Sequence, residues 1–142
     1  MSAVERRYLI FALSGRLYAF DLAQVTEVSE LRETWPIPGA PACYTGALNF
    51  HGTIVAVMDL AQFMGFSVCR LPEKLVILDP AIAALAFLVE RVLRIVPENQ
   101  VEKLDETGAE RFANFLLVLP EGRATLLDAE AIVAQATEEI NI

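Results

Sequence analysis

The sequence predicts an all-β fold with short helices, and three observations predict it. Short apolar runs recur at even spacing, glycine turn signals separate them, and helical periodicity is scarce. Many short strands with such turns form small barrels or a sandwich. A parallel α/β sheet is not expected, because no long crossover helices lie between the strands. Several runs are apolar on both faces, so more than one layer must pack against them.

Taken in order, residues 8–13 are apolar and aromatic-rich, Ser14-Gly15 is a turn signal, and residues 16–20 follow as a second strand. Residues 8–20 therefore read as a hairpin. Residues 53–58 form a β-branched run. Residues 75–78 form another, with 86–89 as its partner. Residues 115–119 and 123–127 flank Pro120-Glu-Gly122, a second hairpin with its turn chemistry. Glu90, Arg91 and Arg94 interrupt a strand-like run and read as a bulged edge with solvated charges. The best helical pattern covers residues 128–139.

A weak repeat links these pieces. Gly15-Arg-Leu-Tyr-Ala-Phe-Asp-Leu-Ala-Gln resembles Gly52-Thr-Ile-Val-Ala-Val-Met-Asp-Leu-Ala-Gln, and the stretch after Gly122 follows the same plan. Each unit is a turn glycine, an apolar strand, an Asp and a short apolar-periodic segment. Asp21, Asp59 and Asp128 thus fall where a helical turn begins and are expected as caps. With Gln24 and Gln62 three residues on, Asp21 and Asp59 fit a capping box.

Composition narrows the function. The 142 residues carry 19 acids and 11 bases, a formal charge of −8, which argues against nucleic acid as a partner. Residues 1–97 hold nine acids and eight bases, whereas 98–142 hold ten acids and three bases. A solvated surface explains this skew, and an electrostatic docking face is the alternative. Glu102, Asp105, Glu106 and Glu110 surround Gly108 in an exposed linker or turn. Residues 34–58 lack any charge, but prolines, glycines and Asn49 break that stretch, so no direct membrane insertion is expected. The apolar N-terminal run is too short for a signal peptide. A cytoplasmic protein of one domain, residues 1–142, is expected.

Chemical templates find no match. There is no phosphate-binding glycine loop and no nucleophile elbow. His51, the one histidine, lies just before a strand, where a turn residue is expected. Cys43 and Cys69 lack metal-ligand spacing and read as buried thiols. No catalytic residue, metal or cofactor is expected. The informative segment is 34–58, which holds Trp35, Tyr44 and Phe50. It either packs on its own protein or is covered by a partner.

Val25-Thr-Glu-Val28, then Ile37-Pro-Gly-Ala-Pro41, then Tyr44-x-Gly-Ala-Leu-Asn-Phe-His-Gly-Thr-Ile-Val-Ala-Val-Met-Asp-Leu60 resembles the CheW-like domain of bacterial chemotaxis coupling proteins. The resemblance spans most of the chain, with its specific part at 37–60. It implies two small five-stranded SH3-like barrels around a shared core, and an adaptor without catalysis. It also implies two partners, the cytoplasmic tip of a chemoreceptor and the regulatory domain of a histidine kinase. Receptor complexes would then hold the protein at the inner face of the membrane. The short ends favour a stand-alone adaptor. Val25 and Glu27 match the receptor-facing valine and glutamate, and Gly46 matches the motif glycine. His51 stands where most members have arginine. A neutral imidazole offers one donor, against five in a rigid charged fork, so a contact made by that arginine would be weakened or replaced. The resemblance therefore implies a partner-binding face of Val25, Glu27, Gly46 and His51. A divergent scaffold for another motility or two-component system is the alternative. A third reading, a small-molecule-binding barrel, predicts a pocket with convergent polar groups.

Overall fold

A computed structural model of the chain describes residues 5–67, 69, 71–105 and 112–140. The first hairpin is β1 (Arg7–Leu13) and β2 (Arg16–Asp21), paired with Leu13 opposite Arg16. There follow β3 (Val25–Glu30), β4 (Tyr44–Phe50), β5 (Thr53–Asp59), a four-residue helix α1 (Leu60–Phe63), β6 (Lys74–Leu78) and β7 (Leu85–Val89). The last third comprises β8 (Arg91–Pro97), β9 (Glu102–Asp105), β10 (Ala113–Leu119), β11 (Gly122–Leu127) and helix α2 (Ala129–Ile140). Of the acidic linker, Glu102 and Asp105 belong to β9, while residues 106–111 lie outside the described residues.

The strands form two sheets, ordered β3-β6-β7-β5-β4 and β8-β1-β2-β11-β10-β9. Each contains one parallel pair, β5 with β7 and β2 with β11, and every other pairing is antiparallel. These parallel neighbours need no long crossover helix. Between β5 and β7 the chain passes through α1 and β6, and β2 meets β11 from the far end of the sequence. Leaving β9 aside, the two orders are the same: β8, β1, β2, β11 and β10 stand where β3, β6, β7, β5 and β4 stand. The first lobe is continuous in the chain, whereas the second is completed by the N-terminal hairpin. The second sheet has six strands, one more than a five-stranded barrel, and the extra strand is β9.

This topology explains why strands are apolar on both faces. Along β1, Tyr8 and Ile10 face the interior of the second lobe, while Leu9, Phe11 and Leu13 face the core shared by both lobes. Along β5, Val55 and Val57 fill the first lobe and Met58 faces the shared core. Phe11 stacks on Phe20 at 5.2 Å and Phe20 on Phe87 at 5.4 Å, a chain of rings that joins the two sheets. Burying each such ring stabilises the fold by about 1.5–3 kcal/mol. Ala129, Ile132 and Ala136 of α2 close the shared core, which gives this helix its one apolar face. Strand β8 is an edge strand with a bulge opposite Ile10 and Phe11, in agreement with its interrupting charges.

Candidate functional site

The hairpin of β4 and β5 turns through His51 and Gly52, both at positive φ, 49° and 85°. Two such residues make the tight turn whose twist matches the strands it joins. Asn49 Oδ1 secures it by accepting from the Gly52 N–H at 2.8 Å. The turn leaves the His51 ring exposed and set against Phe50, with centroids 4.2 Å apart.

The opposite edge of the same sheet reaches this turn through one side chain. Arg32 lies just past the end of β3. Its Nε donates to Ser29 Oγ at 3.1 Å, its Nη2 stands 3.8 Å from Glu27 Oε2, and its guanidinium lies 5.4 Å from the Phe50 ring centre. Glu27 and Ser29 pair with Ile77 and Leu75, whose side chains fill the first lobe. Cross-strand partners share a face, so Glu27 and Ser29 point to that lobe's mouth. Three residues beyond Arg32, Trp35 adds a short bridge to Ala47, with N–H donating to C=O in both directions at 2.8 Å. Residues 31–35 therefore close the gap between the edge strands β3 and β4. A groove of about 230 Å³ opens at this mouth, with Thr26, His51 and Thr53 as its polar groups above aliphatic walls from Val55, Ile77 and Pro80.

The four residues expected to form one face are thus divided. Val25 packs against the shared core, on the other side of β3 from Glu27. Glu27 and His51 meet at the mouth through Arg32 and Phe50. Gly46 is buried, and a Cβ there would lie 2.6 Å from the Trp35 carbonyl oxygen. The backbone that approaches Gly46 closely is the chain's own. The Glu27 carboxylate is not open to a partner alone, since Arg32 stands beside it. Sequence reasoning missed Arg32 because that residue lies beyond the strand, where alternation says nothing about direction. Its spacing of three from Ser29 and five from Glu27 was the only signal.

The uncharged segment 34–58 packs in part on its own protein and in part stays open. Much of it is the β4–β5 hairpin, yet Trp35 remains 57% exposed and Ile54 68%. A second groove, about 330 Å³, runs between Ile37, Pro38, Pro41, Tyr44 and Ala56.

The Asp positions hold local geometry. Asp21 Oδ1 accepts from the Ala23 N–H at 3.0 Å, with Arg6 Nε 3.3 Å from its other oxygen. Asp128 Oδ1 accepts from Glu130 and Ala131 at 3.0 and 3.3 Å. Asp59 is buried and binds the N–H groups of Gln62 at 3.2 Å and Cys69 at 2.9 Å. The reciprocal half of a capping box is not used there, because the Asp59 N–H donates to the Cys43 carbonyl at 2.7 Å. Cys43 is buried, but Cys69 is only partly so. Burial first, then the charges of Asp59 and Glu90, push the Cys69 thiol up to about 11, which makes it a poor nucleophile at neutral pH. No group of three metal-ligating side chains occurs among the described residues, and no helix there is long and apolar enough to cross a membrane.

Comparison with known proteins places this geometry. The sequence model of the CheW-like domain matches residues 7–137. A chemotaxis protein CheW of Thermotoga maritima is 27% identical over 137 residues, covering 94% of this chain and 91% of the relative. A probable chemotaxis protein CheW of Rhizobium etli is 19% identical over 147 residues, 95% and 92% of the two chains. The crystal structure of the scaffolding protein TtCheW from Thermoanaerobacter tengcongensis superposes with a TM-score of 0.77 at 20% identity, over 91% of this chain and 92% of that one.

Proposed function

The chain belongs to the CheW-like domain family, and from that premise we propose that it is a non-catalytic adaptor coupling chemoreceptors to a histidine kinase in a bacterial chemosensory complex. The observation that carries this reading is the family match across both lobes and the core they share. The relatives' chemotaxis names and the scaffold fold of the structural neighbour support it.

The receptor tip, a helical hairpin, docks along β3 and the adjoining mouth. Val25 borders the shared core there, His51 lines the groove, and Glu27 stands beside it, joined to Phe50 through Arg32. Gly46 contributes indirectly, by seating the Trp35 segment that closes the mouth. Because Arg32 already pairs with Glu27, the incoming helix needs an apolar stripe but no basic residue. The regulatory domain of the kinase docks elsewhere on the lobes. The protein acts in the cytoplasm, at the inner membrane face through the receptors it binds.

Reconstitution tests the reading. A receptor cytoplasmic fragment, the kinase and this chain are mixed and sedimented together. Co-sedimentation of the kinase with receptor should depend on this chain. If the same amount of kinase sediments without it, the adaptor role is refuted.

A further inference from the structure

We infer that Arg32 is the positioning residue of the docking mouth, fixing Phe50, His51 and Glu27 in one arrangement. The inference rests on the adaptor reading above, and its ground is the internal symmetry of the fold. In the second lobe, β8 stands where β3 stands in the first, and the β10–β11 hairpin stands where β4–β5 stands. There Arg94 of β8 reaches the hairpin turn and grips Glu121 with two bonds, Nε to Oε2 at 2.9 Å and Nη2 to Oε1 at 2.8 Å. Arg32 makes the equivalent crossing in the first lobe. Its target differs because the turn carries His51 and Gly52 in place of an acid, so the guanidinium covers Phe50 and its anion, Glu27, comes from β3. Both lobes thus close the same junction with an arginine from the first-strand side.

Position 51 offers a second route to the same closure. An arginine at that turn starts beside the Phe50 ring, which the His51 ring already contacts at a centroid distance of 4.2 Å, on the edge of the sheet opposite Glu27. Here that position is His51, and Arg32, just past the end of β3, makes the closure. The two routes should therefore substitute for each other, and a partner that contacts the mouth should read them as equivalent.

Two readouts test this. His51 is the only histidine, so its ring protons report the Phe50 contact without any partner present. Binding is measured by calorimetry with a purified receptor-tip fragment. Arg32→Ala should shift the His51 ring signals towards their open-chain positions. It should also loosen binding about tenfold, the scale of one exposed cation–π contact and one ion pair lost together. Arg32→Ala combined with His51→Arg should recover affinity to within about threefold of wild type, which a purely structural loss would not do. Arg32→Lys keeps the charge without the planar fork and should fall between. It also guards against a fold defect in the alanine variant, with circular dichroism as the check. Unchanged His51 signals in Arg32→Ala overturn the inference. So does unchanged affinity, or a double variant no tighter than Arg32→Ala. If wild type itself does not bind the receptor fragment, receptor docking at the mouth fails with the docking role of Arg32, a result distinct from a failure in the variants alone.

Discussion

Replacing Gly46 with alanine tests whether the mouth is closed by the chain's own backbone. Gly46 has φ +151°, a conformation that L side chains rarely adopt. A Cβ there would also sit 2.6 Å from the Trp35 carbonyl oxygen and 3.0 Å from Thr34 Cβ. These are distances at which something must shift, and backbone cannot yield as a flexible side-chain end can. The strained φ alone costs about 1–3 kcal/mol. Pushing residues 34–35 away breaks the two hydrogen bonds between Trp35 and Ala47, worth about 0.5–1.5 kcal/mol each. Partial relaxation overlaps these terms, so about 2–4 kcal/mol is expected. In a chain of this size that lowers Tm by roughly 5–15 °C. Urea denaturation followed by circular dichroism measures the loss. Trp35, the single tryptophan, reports by its fluorescence whether the bridge has opened. Stability within 0.5 kcal/mol of wild type, on the order of ordinary surface substitutions, together with unaltered Trp35 emission, would refute the argument. The same geometry means that lost binding in any Gly46 variant reflects a displaced Trp35 segment before it reflects a blocked partner.

Two further predictions separate groups that look alike in sequence. Asp59→Ala should cost about 2–3 kcal/mol in urea denaturation, because it strands two partly buried N–H groups beside a buried side chain, whereas Asp21→Ala, at an exposed turn, should cost about 1 kcal/mol; equal losses would contradict this. Glu121 is held down to about 2 by its two bonds from Arg94, so its folded-state value lies below the ordinary 4.5. Its contribution to stability is therefore present above about pH 4.5 and lost as pH falls towards about 2. A side-chain NMR titration should place the Glu121 carboxyl near that low value in wild type and back in the usual range in Arg94→Met.

The adaptor family and the all-β class were legible because they depend on local signals. Turn glycines, β-branched runs and the motif from Tyr44 to Leu60 are read residue by residue, and the hairpins over 8–20 and 115–127 formed where the turn chemistry put them. Other strands were less visible. Tyr44–Phe50 contains Gly46, Ala47 and Asn49, which carry little intrinsic β preference. It is a strand because β5 lies on one side and Trp35 bridges the other. The internal repeat misled in one respect. The units after Gly52 and Gly122 occupy equivalent strands, β5 and β11, but the unit after Gly15 forms β2, the counterpart of β7.

The candidate site shows the same division. Val25 and Glu27 are two residues apart, a spacing that would put them on one face of a regular strand. A shift of register between them puts one against the shared core and the other at the mouth. The sequence by itself determined the strand-forming runs and the caps, since each follows from the preferences of neighbouring residues, and its motif up to Leu60 carried the resemblance to the family. Only the tertiary structure decided that the N-terminal hairpin completes the second lobe, that Gly46 faces Trp35, and that Arg32 joins Glu27 to Phe50. These contacts connect sheet edges that the chain order leaves apart, and the curl and register that bring the edges together come from packing two lobes on one core.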